Sequence, residues 1–183
     1  MKNGTNTSFF MKFELSMETE LEWMLTNSYK TDMISFLSTH PEYFEEAIQL
    51  AITDRQPYSW RAAWLLWSVM EKNDHRIQGY VKTIIDTISD KNDNQQRELL
   101  IILQQMDLDE ELDGLLFNHC AALWKKTNKK PSVRLNAFKV IVIIAQKYPG
   151  LSQEIVLLSN DQFLESLSPG VKKSIAQMIK VLG

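Results

Sequence analysis

The sequence predicts an all-α protein, a right-handed α-α superhelix of about four to five stacked helix pairs. Three observations carry this prediction. Apolar residues recur at helical spacing through most of the chain, as in Ile77, Val81, Ile84, Ile85 and Ile88. Pro41, Pro57, Pro131 and Pro169 each stand where such a segment begins, a position that tolerates a missing N–H. Basic residues also return at a near-constant interval: Arg61, Arg97, Arg134 and Lys172 are separated by 36, 37 and 38 residues.

Taken in order, residues 1–16 read as a disordered tail, with Met11 or Met17 as the start of translation. The apolar block Phe9, Phe10 and Met11 is too short for a secretory signal. A single repeat domain is expected over 17–183. Residues 17–27 and 29–39 form an irregular first pair that caps the stack, within a unit spanning 17–40. Four repeats then follow at about 41–72, 74–106, 109–148 and 151–182.

In the first repeat, Phe44, Ala47, Ile48 and Ala51 make one apolar face. In the third, Leu112, Leu115, Leu116, His119 and Leu123 do the same. The stretch "KVIVII" at 139–144 is β-branched, yet it lies inside an 18-residue segment, 131–148, with no turn signal. Length favours a buried helix there. Pro149-Gly150 stops it. The last helix sets Lys172, Lys173, Gln177 and Lys180 opposite Val171, Ile175, Met178, Ile179 and Leu182, as a terminal repeat requires.

Composition narrows the function. The 183 residues carry 20 Lys and Arg against 23 Asp and Glu, a net charge of −3. Nucleic-acid binding draws on a basic excess, so this balance argues against it. No apolar run approaches the ~20 residues of a membrane span. The lone Cys120 cannot form an internal disulfide, which fits a cytoplasmic location. No metal or cofactor is expected. His119 and Cys120 are adjacent and so diverge on a helix, and the acidic run 107–114 lacks the Gly and Glu of a calcium loop. Phosphate-loop, dinucleotide and Gly-x-Ser-x-Gly motifs are absent, and no catalytic residue can be assigned.

Two groups of residues are candidates for binding. Trp60, Trp64 and Trp67 step along one face of the helix at about 57–72, which is apolar nearly all round apart from Arg61, Ser68 and Lys72. Burial between neighbouring repeats accounts for such a helix, although tryptophan is also enriched at interface hot spots. The second group is Arg61, Arg97, Arg134 and Lys172. Stacking would set these heads in a row roughly 10 Å apart, able to hold an acidic peptide or phosphates. The alternative is that each Arg pairs with the Asp of the preceding turn or with a neighbouring carbonyl and stitches repeat to repeat.

With Trp-Arg or Val-Arg near the start of second helices, residues 41–182 resemble HEAT or armadillo-type repeats. "PYSWRAAWLLWSVMEKN" at 57–73 is more narrowly similar to a group of short bacterial HEAT-like proteins. The resemblance implies an Asp in the turn before each Arg. Asp54 precedes Arg61 and Asp90 or Asp93 precedes Arg97, Asn128 is the nearest equivalent before Arg134, and none precedes Lys172.

The leading expectation is a non-enzymatic scaffold or adaptor that presents one solenoid face to a protein or peptide, an acidic one included, as a monomer or weak homo-oligomer. The alternatives are a DNA-repair glycosylase of the HEAT-like kind, and a self-associating subunit docked through its tryptophan face.

Overall fold

The computed structural model describes residues 18–180, so the expected tail, Met17 and Leu182 lie outside the described residues. Within them the chain is all-α, with twelve α-helices, three short 3-10 turns and no strand. Thr19 opens α1 (Glu20–Asn27) with a reciprocal capping box. Its hydroxyl accepts from the Glu22 N–H at 3.1 Å, and the Glu22 carboxylate accepts from the Thr19 N–H at 3.2 Å. Helix α2 (Lys30–Thr39) completes this first pair.

The next pair is α3 (Phe44–Ile52), entered through a 3-10 turn at Pro41–Tyr43, and α4 (Tyr58–Val69). Then come α5 (His75–Gln78) and α6 (Val81–Thr87), packed with α7 (Asp93–Leu103). Helices α8 (Glu110–Lys125) and α9 (Pro131–Lys147) form the longest pair. The chain closes with α10 (Ser152–Leu158), α11 (Asp161–Leu164) and α12 (Pro169–Ile179). Asp74, Asn92, Asp109, Asn160 and Ser168 each cap the helix they precede by accepting a main-chain N–H.

Two layers result. The second helices α4, α7, α9 and α12 contact one another in succession, and the first helices α3, α6, α8 and α10 form the other layer. Helices α1 and α2 both close on α4. Four features of α4 explain its position: Ala62, Ala63, Leu65 and Leu66 are buried, and the two alanines let neighbouring helices approach. The β-branched stretch of α9 is helical, with Val133, Ala137, Phe138, Val140, Ile141 and Ile144 all buried, because α9 meets α7, α8, α10 and α12 at once.

The loop after α4 turns through Asn73, whose φ of 55° is left-handed. Asparagine tolerates that region better than most residues. Here its N–H donates to the Gln105 carbonyl at 2.8 Å, and its Oδ1 accepts from the Asp107 N–H at 3.0 Å. Successive pairs are thereby joined at one end. At the other end, acid and base pair across repeats: Asp54 with Lys91 at 2.9 Å and Asp93 with Lys129 at 2.8 Å.

Candidate functional site

A pocket of about 390 Å³ opens where α2 and the turn before it face α4 and α7. Helix α4 contributes Trp60, Arg61 and Trp64, and α7 contributes Arg97. The α1–α2 turn and α2 supply Ser28, Tyr29, Lys30 and Met33. The walls are therefore aromatic and apolar, with three cationic heads among them.

Each cation has a different electrostatic setting. The Arg61 guanidinium donates through Nη1 to the Leu25 carbonyl, near the end of α1, and lies 5.3 Å from the Trp60 ring. Carbonyls at a helix C-terminus carry partial negative charge, so this contact ties α4 to the first pair. The Nε of Arg61 is shielded from water and has no acceptor among the described residues. Lys30 is exposed, with Nζ 5.3 Å over the Trp64 ring. Arg97 is 39% exposed but is spent on Glu98, which accepts from its Nε at 2.9 Å.

The three tryptophans are half-buried rather than enclosed. Trp64 and Trp67 meet edge to face with centroids 6.3 Å apart, and the Trp67 indole donates to Glu98 Oε2 at 2.7 Å. The aromatic face thus serves packing along one edge and lines the pocket along another. Trp67 itself is not part of the lining.

The basic positions do not share one surface. Only Arg61 and Arg97 reach the pocket. Arg134 is 1% exposed and donates to the Trp124 carbonyl at 2.9 Å, to Ser166 Oγ at 2.9 Å and to the Phe163 carbonyl, with its guanidinium 4.6 Å over the Trp124 ring. Burial lowers its pKa, and three polar acceptors and an aromatic face compensate the buried charge. Lys172 is half-buried on α12, away from the pocket. The expected row of heads is thus replaced by two at a pocket, one buried between α8, α9 and α11, and one on the last helix.

Of the two partners expected for the arginines, the neighbouring carbonyl is found for Arg61 and Arg134, and the Asp of the preceding turn is not. Asp54 and Asp93 pair with Lys91 and Lys129 of the following turn, not with Arg61 and Arg97. Two glutamines that no motif distinguishes add further ties, Gln95 between successive pairs and Gln96 within its own pair. The Gln95 amide donates to the carbonyls of Ala51 at 2.8 Å and Thr53 at 2.7 Å, and the Gln96 amide to that of Ile88 at 2.9 Å. Both are fully buried and satisfy carbonyls at the ends of first helices.

Sequence reasoning also missed Tyr29, Lys30 and Met33, which no motif distinguishes. Among the described residues no three or more His, Cys, Asp or Glu side chains gather as a metal site would require. His119 bonds Ser89 Oγ at 2.9 Å, and Cys120 is buried with its thiol pKa pushed up by burial. No described helix is long and apolar enough to cross a membrane.

A family model described as a HEAT repeat domain matches residues 17–182. No curated protein and no solved structure matches the chain.

Proposed function

The chain belongs to the HEAT repeat family, and we propose that it is a non-enzymatic interaction module whose partner protein docks at the pocket between α2, α4 and α7. HEAT repeats commonly mediate protein–protein interaction. The observation that carries the proposal is the meeting of half-buried Trp60 and Trp64 with Lys30, Arg61 and Arg97 in one concavity. Aromatic and arginine side chains in a partly desolvated hollow are the composition of an interface hot spot.

The nucleic-acid reading is weaker. Affinity for a strand grows with the number of phosphates neutralised, and Arg134 is too buried to meet one. Self-association has its own support in Val156 and Leu157, each 70% exposed on α10.

Capture from native lysate tests the proposal, with wild type compared against Trp64→Ser and Lys30→Gln and a thermal melt for each. A partner lost by both variants at an unchanged melt supports docking at the pocket. A partner retained by both moves the docking face elsewhere, and capture only of the chain itself favours self-association.

A further inference from the structure

We propose that this pocket receives a carboxylate side chain of the partner, set beside an aromatic or aliphatic neighbour, with the carboxylate held by Arg61 and Lys30. The proposal deepens the reading of the chain as an interaction module and rests on it.

Arg61 has an incomplete set of hydrogen bonds. A guanidinium presents five N–H groups, and its Nε–H and Nη2–H lie parallel on one edge, matched to the two oxygens of a carboxylate. Nη1 of Arg61 is taken by the Leu25 carbonyl. Nε has no acceptor, and Nη2 makes no hydrogen bond to any described residue. The edge suited to a carboxylate therefore carries two donors with no acceptor among the described residues, one of them, Nε, shielded from water. A shielded donor without a partner is uncommon in folded proteins, and an incoming acceptor is one way to complete it.

Charge points the same way. Arg97 is neutralised by Glu98, whereas neither Arg61 nor Lys30 has a carboxylate within ion-pair distance among the described residues. Lys30 stands over Trp64, on the same pocket as Arg61. Two uncompensated cations at a hollow of about 390 Å³ suit one or two anionic groups, and that volume admits side chains rather than a folded domain. Met33, Trp60 and Trp64 supply the apolar wall for the neighbouring residue. A nucleic-acid strand would need further cations along its path. Arg134 is buried and Lys172 is not at the pocket, so a peptide is the better match.

The test uses the full chain and a phage-displayed library of random heptapeptides, selected on wild type and counter-selected on Trp64→Ser. Selected peptides are then titrated by tryptophan fluorescence against wild type, Arg61→Lys and Lys30→Gln. Arg61→Lys keeps the charge but loses the fork. Lys30 is exposed, so its variant leaves the fold intact.

The expected result is enrichment of Asp or Glu next to an aromatic or aliphatic residue. Replacing that acid by its amide should weaken binding about tenfold, and each protein variant should do the same. Peptides without an acid that still require Trp64, or binding indifferent to both variants, would overturn the carboxylate assignment and leave the interaction reading standing. No enrichment over the counter-selection would remove both, as would oligothymidylate binding tighter than every selected peptide.

Discussion

The indole of Trp67 donates to Glu98 Oε2 at 2.7 Å across the contact between α4 and α7, and Glu98 is fully buried. Its other oxygen accepts from Arg97 Nε at 2.9 Å. A buried carboxylate is tolerated only when its oxygens are satisfied, so the three side chains act as one unit. Trp67→Phe leaves one oxygen without its indole donor and is expected to cost about 1–3 kcal/mol in denaturant unfolding. Glu98→Ala, which strands both donors and opens a cavity, should cost more. Equal and negligible losses would mean the unit contributes nothing to the α4–α7 contact.

Arg134 and Lys172 occupy matched repeat positions but should respond differently. Arg134→Met leaves the Trp124 and Phe163 carbonyls and Ser166 without their donor, so a loss of about 2–4 kcal/mol is expected. Lys172→Ala should stay within about 0.5 kcal/mol. Urea midpoints for the two variants check this directly. Comparable effects would contradict the division between a buried and a surface position.

Acid sensitivity follows from Asp74. The side-chain bonds from Arg76, at 2.9 and 2.6 Å, are the main cause that lowers its pKa from 3.8 to about 2, against the opposing effect of burial. A carboxylate held lower in the folded state than in the unfolded one binds fewer protons when folded. Its contribution is therefore present above about pH 4 and is lost as pH falls toward 2. Asp74→Asn should cost roughly 2 kcal/mol at neutral pH and much less near pH 2. Unfolding curves across this range check the sign, and a variant whose deficit grows on acidification would contradict it.

Cys120 is buried and its thiol pKa is pushed up by burial, so little thiolate forms in the native protein. A thiol-reactive dye should label the folded chain slowly, at a rate set by opening of the core around α8. The rate should rise with urea and in the Arg134→Met variant. Prompt stoichiometric labelling of the native protein would place Cys120 at the surface.

Much of the fold was legible because repeat spacing and helix punctuation are local signals. The β-branched stretch at 139–144 reads as helix on length, and α7, α8, α10 and α12 pack around α9 to bury Val140, Ile141, Val142 and Ile144. The breaks between α5 and α6, and between α10 and α11, were not foreseen. Gly79 and Ser159 sit within apolar periods that continue across them. The site was half legible. Trp60, Trp64, Arg61 and Arg97 stood out, but Tyr29, Lys30 and Met33 join them only through the packing of α2 on α4.

Equal spacing also misled at Arg134. Repeated position does not fix exposure when α8 and α11 cover one repeat and leave another open. Asp54–Lys91 and Asp93–Lys129 share the same repeat period, 37 and 36 residues, yet pair acids with lysines rather than arginines.

A partner that docks at the pocket between α2, α4 and α7 must shield the backbone that lines it. Amide hydrogen exchange, compared between the free chain and the chain saturated with a selected peptide, reads out that shielding. New protection confined to residues 28–33 and 60–64, with α10 to α12 unchanged, is the predicted result. Protection centred on Val156 and Leu157, with the α2–α4 hollow unaltered, would contradict it.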